Sequence, residues 1–200
     1  MADTRGVFGL RQVLLFKNKN EWVPLEDVWL EPLFPGTGYF GGGRTPSTST
    51  SMDKVTYASD TTAAVPGANL TVARYGLAAT GNSTHGYFGG GYLTTAQMDK
   101  VTYASDTTTA VPGANLTVAR YYLAATGNST HGYFGGGEAI TAQMEKTTYS
   151  SDTTAAVPGA NLTVARNTLA ATGNSTHGYF GGGYTGSFRV STMDKVTYSS

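Results

Sequence analysis

Three observations make this an all-β sequence. Its 32 threonines and 27 glycines in 200 residues weigh against helix, because β-branched and Cβ-less residues both disfavour it. The block Gly-Tyr-Phe-Gly-Gly-Gly starts at Gly38, Gly86, Gly132 and Gly178, at spacings of 48, 46 and 46 residues, and a fixed period of this length marks a repeat architecture. Within each period the chain breaks into short runs bounded by turn residues, with no helical periodicity.

The elements follow in chain order. Residues 1–35 form an arm, set apart by composition, with both tryptophans and nine of the 26 charged residues. Its apolar runs, 7–16 and 21–30, flank Lys17-Asn18-Lys19-Asn20, a hairpin turn, and Pro24 places the second run at an edge. Two strands alone are marginal in water. Phe8, Leu10, Leu14, Phe16, Trp22 and Trp29 therefore need something to bury them, which makes them candidate anchor contacts. Residues 36–200 are the repeat region, with units near 38–85, 86–131, 132–177 and a partial one at 178–200.

One unit shows the pattern. Residues 74–80 alternate Tyr75, Leu77 and Ala79 with smaller residues, then Gly81-Asn82-Ser83 turns the chain. Residues 85–88 are aromatic-rich and end in three glycines. Residues 100–103, Lys-Val-Thr-Tyr, alternate as a half-buried strand does. Residues 108–111 end at Pro112-Gly113, and proline suits an outermost edge strand because it cannot donate to a ladder. Four short strands in about 46 residues is the period of a propeller blade. About three and a third repeats are present. A propeller needs about four to eight blades, so closure calls for a longer product or for several chains sharing one toroid. An open array leaves unpaired strand edges and ranks last.

The unit resembles a kelch repeat at Arg74, Tyr87-Phe88-Gly89-Gly90, Val101, Tyr103 and Asp106. It departs from that pattern on the outer strand, where Thr-Ala-Val-Pro stands in place of a tryptophan. The resemblance covers residues 38–200 and implies four-stranded β-propeller blades. The whole chain also resembles structural and tail-fibre-like proteins of marine tailed bacteriophages, through residues 4–8 (TRGVF), residues 21–29 (EWVPLEDVW) and the GYFGGG blocks. That resemblance implies a virion appendage assembled in the host cytoplasm, a tail fibre, neck or decoration protein. Its N-terminal arm would dock on other virion proteins while its repeats project.

Composition limits the chemistry. Thirteen basic and thirteen acidic residues cancel, whereas neutralising nucleic-acid phosphates takes a basic excess or stripe, so nucleic acid is not an expected partner. The absence of cysteine excludes disulfides, thiol catalysis and cysteine zinc sites. No run of about 18 apolar residues occurs, so membrane insertion by a helix is not expected. Residues 1–16 lack a cleavage signature, so secretion by a signal peptide is not expected either.

Residues that recur once per unit read as architecture. His85, His131 and His177 precede the aromatic strand with no second ligand at metal-like spacing, so they read as loop hydrogen-bonding groups and no cofactor is expected. Asp60, Asp106 and Asp152 sit where a carboxylate accepts backbone N–H groups and shapes a turn. Arg74, Arg120 and Arg166 read as links to loops or carbonyls of neighbouring blades. Near-identical copies do not supply the two distinct carboxylates of a glycosidase, so the expectation is a protein that is not an enzyme. The alternatives are a cellular kelch-like interaction scaffold and a glycan-active propeller enzyme.

Variable positions in a copied unit are the candidate binding surface. The stretches 44–51, 92–97, 138–143 and 184–192 change in sequence and length, and a second variable pair is Tyr75-Gly76, Tyr121-Tyr122 and Asn167-Thr168. Loops on a rigid scaffold carry binding, and Tyr and Arg make strong contacts, so Tyr92, Tyr184, Phe188 and Arg189 are candidate ligand contacts. The expected mode is adhesion by presentation, to a host-surface glycan or protein, with homo-oligomers raising avidity.

Overall fold

The structure, a computed structural model, describes residues 36–92 and 95–198, which fall in one unit, Pro35–Ser200. The arm residues Phe8, Leu10, Leu14, Phe16, Trp22 and Trp29 lie outside the described residues.

The described chain is all-β, in four antiparallel sheets. The first holds β1 (Thr37–Gly41), β2 (Met52–Thr56) and β3 (Thr61–Ala64); the second holds β4 (Ala78–Gly81), β5 (His85–Gly89), β6 (Met98–Thr102) and β7 (Thr107–Ala110). The third repeats that set as β8 (Ala124–Gly127), β9 (His131–Gly135), β10 (Met144–Thr148) and β11 (Thr153–Ala156). The fourth is β12 (Ala170–Gly173), β13 (His177–Gly181) and β14 (Met193–Thr197). Neighbours in sequence are neighbours in the sheet, so each unit is a blade-like meander. Its last strand is an edge, as Pro112 predicts, and the proline opens a 3-10 turn at Pro112–Ala114.

The register places like against like in every unit. Gly86 faces Val101, Tyr87 faces Lys100, and Phe88 faces Asp99 across β5 and β6. Gly132 faces Thr147, Tyr133 faces Lys146, and Phe134 faces Glu145 across β9 and β10.

One strand reading changes. The run predicted over 74–80 is strand only from Ala78, because Arg74 and Tyr75 give their carbonyls to Gly43 and Tyr92 of nearby loops (3.0 and 2.7 Å). The run read as half-buried, 100–103, keeps its alternation, with Val101 buried between half-buried Lys100 and Thr102, while the two residues that begin β6, Met98 and Asp99, are both buried between sheets.

The core lies between the sheets. Met52, Ala68 and Leu70 of the first repeat pack with Phe88 and Val101 of the second. Met98, Leu116 and Tyr87 pack with Phe134 and Tyr149 of the third, and Met144, Leu162 and Tyr133 with Phe180 and Val196 of the fourth. Along the first strands, β4 packs on β8 and β8 on β12.

The glycines after the aromatic strand hold a left-handed bend. Gly136 has φ +67°, and a Cβ built there would stand 2.5 Å from the Arg166 carbonyl oxygen. Gly137 then donates its N–H to that oxygen at 3.0 Å.

Candidate functional site

Two constellations recur between consecutive sheets, the first at all three junctions and the second described at the first two, and both are built from residues that the repeat text places once per unit. In the first, a buried arginine reaches forward. Arg74 sits in the loop leaving β3, where its backbone N–H bonds Ser49. Its guanidinium lies 2.9 Å from Asp99 and donates to the Phe88 carbonyl at 3.0 Å, both on the second sheet. Thr71 donates its backbone N–H and hydroxyl to the same carboxylate at 3.1 and 2.6 Å. Arg120 repeats this with Glu145 and the Phe134 carbonyl (3.4 and 3.3 Å), and Arg166 with Asp194 and the Phe180 carbonyl (2.8 and 3.0 Å). All three arginines are buried. Burial lowers the guanidinium pKa of Arg74, opposed by the Asp99 charge.

In the second constellation a tyrosine and a lysine from one sheet grip an aspartate of the next. Tyr39 donates to Asp106, and Lys54 Nζ lies 2.9 Å from both of its oxygens. Tyr87 donates to Asp152 at 2.5 Å, while Lys100 meets its two oxygens at 3.0 and 2.8 Å. Tyr39 also stacks on Tyr103 and Tyr87 on Tyr149, at ring-centroid distances of 4.9 and 4.7 Å. Asp60, Asp106 and Asp152 all stand in the left-handed region (φ about 50° in each). The turn is thus shaped by their backbone. The carboxylates of Asp106 and Asp152, expected on backbone N–H groups, are instead taken by the preceding sheet. Burial pushes the Tyr103 hydroxyl up to about 12, with Tyr39 and Tyr57 adding to it.

These aspartates set an acid limit. Hydrogen bonds from Tyr39 and then Lys54 hold Asp106 below its ordinary carboxylate pKa. Burial raises that of Asp152, but Lys100 and Tyr87 outweigh it and the net direction is down. A carboxylate with a depressed folded-state pKa stabilises the fold above its unfolded value, and that contribution is lost as pH falls through the folded one. Thermal melts should therefore fall below about pH 4. An Asp106→Asn, Asp152→Asn double variant should start less stable at neutral pH, by about 1 kcal/mol for such half-exposed pairs, and lose less on acidification. An identical acid profile in both proteins would refute the assignment.

The histidines stay local. The Nδ1 atoms of His85, His131 and His177 each lie 2.8 Å from the preceding threonine hydroxyl. Asn82 caps the turn by accepting the N–H groups of Thr84 and His85 at 2.9 Å. Burial, aided by Lys100, lowers the imidazole pKa of His85. Among the described residues no three His, Asp or Glu side chains are grouped to hold a metal ion.

The variable positions come together. Tyr75 stacks on Tyr92 at 4.7 Å, Tyr92 meets Tyr121 edge-on at 5.3 Å, and Tyr121 leans on Tyr122 at 4.8 Å. The Arg44 guanidinium covers Tyr75 at 5.5 Å. The backbone beneath is a ladder from repeat to repeat: Tyr122 donates to Gly76 (2.6 Å) and Thr168 to Tyr122 (2.8 Å). Glu138 donates its N–H to Tyr121 at 2.7 Å and accepts from the Asn167 amide. Asn167 in turn exchanges backbone bonds with Tyr184 at 3.0 and 2.9 Å. One strip thus runs from Arg44 to Tyr184, with Tyr92, Tyr122 and Tyr184 each 38% exposed. Phe188 and Arg189 lie beyond it in an exposed hairpin, Phe188 at 74%.

Sequence reasoning missed the acid partners of the arginines. The signal was present: the residue after each internal methionine is Asp53, Asp99, Glu145 or Asp194, so the charge persists while the side-chain length varies. It also singled out Tyr92 and Tyr184 but not the packing of Tyr75 and Tyr121 against Tyr92. No protein-family model matches the chain, and no characterised protein matches it.

Proposed function

We propose that this is a non-enzymatic adhesion protein whose blade-like repeats, of kelch-like propeller type, hold the Arg44–Tyr184 strip outward to bind a glycan or protein on a host surface. We place it in a phage virion appendage, docked through residues 1–35. The strip is the observation that carries the binding reading. It concentrates the variable residues of a copied unit on one surface, and tyrosines offer flat apolar faces and hydroxyls at low entropic cost. Those faces suit the C–H faces of sugar rings, and the hydroxyls, Arg44 and Glu138 suit their oxygens. The virion placement is supported by the resemblance of residues 4–8, 21–29 and the GYFGGG blocks to phage structural proteins.

The test pairs a glycan array and intact host cells with the full chain and its Tyr92→Ala, Tyr121→Ala double variant. Loss of two central aromatic contacts should weaken binding about tenfold or more. Serum against residues 44–200 should also decorate purified particles at a fixed place. Binding that the double variant leaves unchanged would remove the strip from the reading, and bare particles would remove the virion.

A further inference from the structure

Backbone strain in the repeat region falls in two places. Among the described residues, those other than glycine with a left-handed backbone are Asp60, Asp106 and Asp152, in the junction turns, and Tyr122, Ala139, Ile140 and Thr168. The last four all occupy variable positions, in the pairs 121–122 and 167–168 and in the stretch 138–143. Tyr122 (φ 54°) and Thr168 (φ 50°) stand where an earlier unit has Gly76 (φ 67°). The backbone at this position suits glycine, and a bulky or β-branched residue is strained there. Strain of this kind is held at sites that use the side chain it displays. Tyr122 and Thr168 both reach solvent on the strip, and the Tyr122 ring lies over Gly76, where a Cβ would stand 2.9 Å from it.

The backbone of the strip is already paired. The N–H of Tyr122 goes to Gly76 and that of Thr168 to Tyr122, while Tyr92, Glu138 and Tyr184 donate to Tyr75, Tyr121 and Asn167. A peptide that binds by joining a sheet edge needs such groups free, so recognition on the strip falls to side chains. Its two charges are opposite in sign and both engaged, Arg44 over Tyr75 and Glu138 with the Asn167 amide. What faces outward is apolar surface edged with hydroxyls: Tyr92, Tyr122, Thr168 and Tyr184. Val72, Val118 and Val164, each three residues before Tyr75, Tyr121 or Asn167, are exposed as well.

We infer, resting on the strip as the binding surface, that its ligand is an uncharged chain of β-linked pyranoses with equatorial substituents, laid across successive repeats, and that Tyr122 and Thr168 determine its fit. Sugar rings of that kind carry C–H groups on both flat faces and hydroxyls round the rim. They match aromatic and aliphatic faces edged with hydroxyls, and they need no counter-charge. An anionic chain gains little here, because the strip sets one anion against one cation. The same positions recur in successive units, so a longer chain reaches more of them.

Isothermal titration calorimetry of the full chain with cellobiose and cellohexaose tests this, with polygalacturonate as the charged comparison. Cellohexaose should bind about tenfold or more tighter than cellobiose. Tyr122→Gly should weaken cellohexaose binding about tenfold and Thr168→Gly about threefold. Thr168→Gly should melt no lower than the wild type, because glycine suits a φ of 50°. A lower melting temperature would assign Thr168 to the fold and not to the ligand, and cellohexaose binding unchanged in both glycine variants would overturn the role of these two residues. No affinity for cellohexaose, or a preference for polygalacturonate, would overturn the ligand class. The strip survives that result if the Tyr92→Ala, Tyr121→Ala variant still loses host cells, and falls with it if the variant binds them as the wild type does.

Discussion

Replacing Arg74 with methionine should lower stability by roughly 3–5 kcal/mol, the effect of leaving one member of a buried ion pair without its partner. Arg74 and Asp99 are both fully enclosed at 2.9 Å, so the carboxylate loses its counter-charge where water cannot replace it. The Phe88 carbonyl loses a donor as well. Thr71 still gives Asp99 two hydrogen bonds, but neutral donors do not cancel the charge. Urea denaturation reads the loss. The companion Arg74→Met, Asp99→Leu variant should recover much of it, because replacing a whole buried pair with apolar side chains is often close to neutral. A single variant that costs less than about 1 kcal/mol would mean that the pair is solvated and contributes as a surface bridge does.

Gly136→Ala should cost about 2–4 kcal/mol, combining the left-handed penalty of an L residue with a steric conflict. The glycine sits at φ +67°, and its added methyl would stand 2.5 Å from the Arg166 carbonyl oxygen, which is backbone and cannot step aside cheaply. That same oxygen is the acceptor for Gly137, so yielding to the methyl breaks the contact that fixes the crossover between sheets. Gly159→Ala is the matched control. Nothing lies within 4 Å of a Cβ there, and fewer unfolded conformations make it neutral or stabilising by up to about 1 kcal/mol. Equal melting temperatures for the two variants would refute the steric argument.

Much of this architecture was visible in the residue order. The period, the four runs per unit and the edge position of the Pro-Gly strand follow from turn chemistry and from proline's missing donor. The glycine bend also follows, since three consecutive glycines after an aromatic strand have few other uses. The junction contacts did not show. They join Tyr39 and Lys54 to Asp106 across 67 and 52 residues, and a repeat displays its own internal spacing without displaying which neighbour each side chain faces. Asp99 was missed for the same reason: it stands just before the run read as a strand, 100–103, and its partner Arg74 belongs to the preceding unit. The strip was half visible. Variation marked Tyr92 and Tyr184, while the meeting of Tyr75 with Tyr92 depends on the Tyr75 carbonyl being bonded by Tyr92, a contact that the strand reading of residues 74–80 did not allow.

The sameness of the junctions has a kinetic consequence. Because every arginine, phenylalanine and tyrosine seat is filled by the same residue type, these seats do not specify which two sheets they join; chain connectivity does most to set the order. Closing a loop of twice the length costs only about 0.6 kcal/mol more, so during refolding the first sheet meets the third nearly as readily as the second. Skipped pairings are therefore the natural kinetic traps of this chain, and they must undo whole junctions before the sequential order can form. The array gains indifference to copy number at the cost of ambiguity in its own assembly.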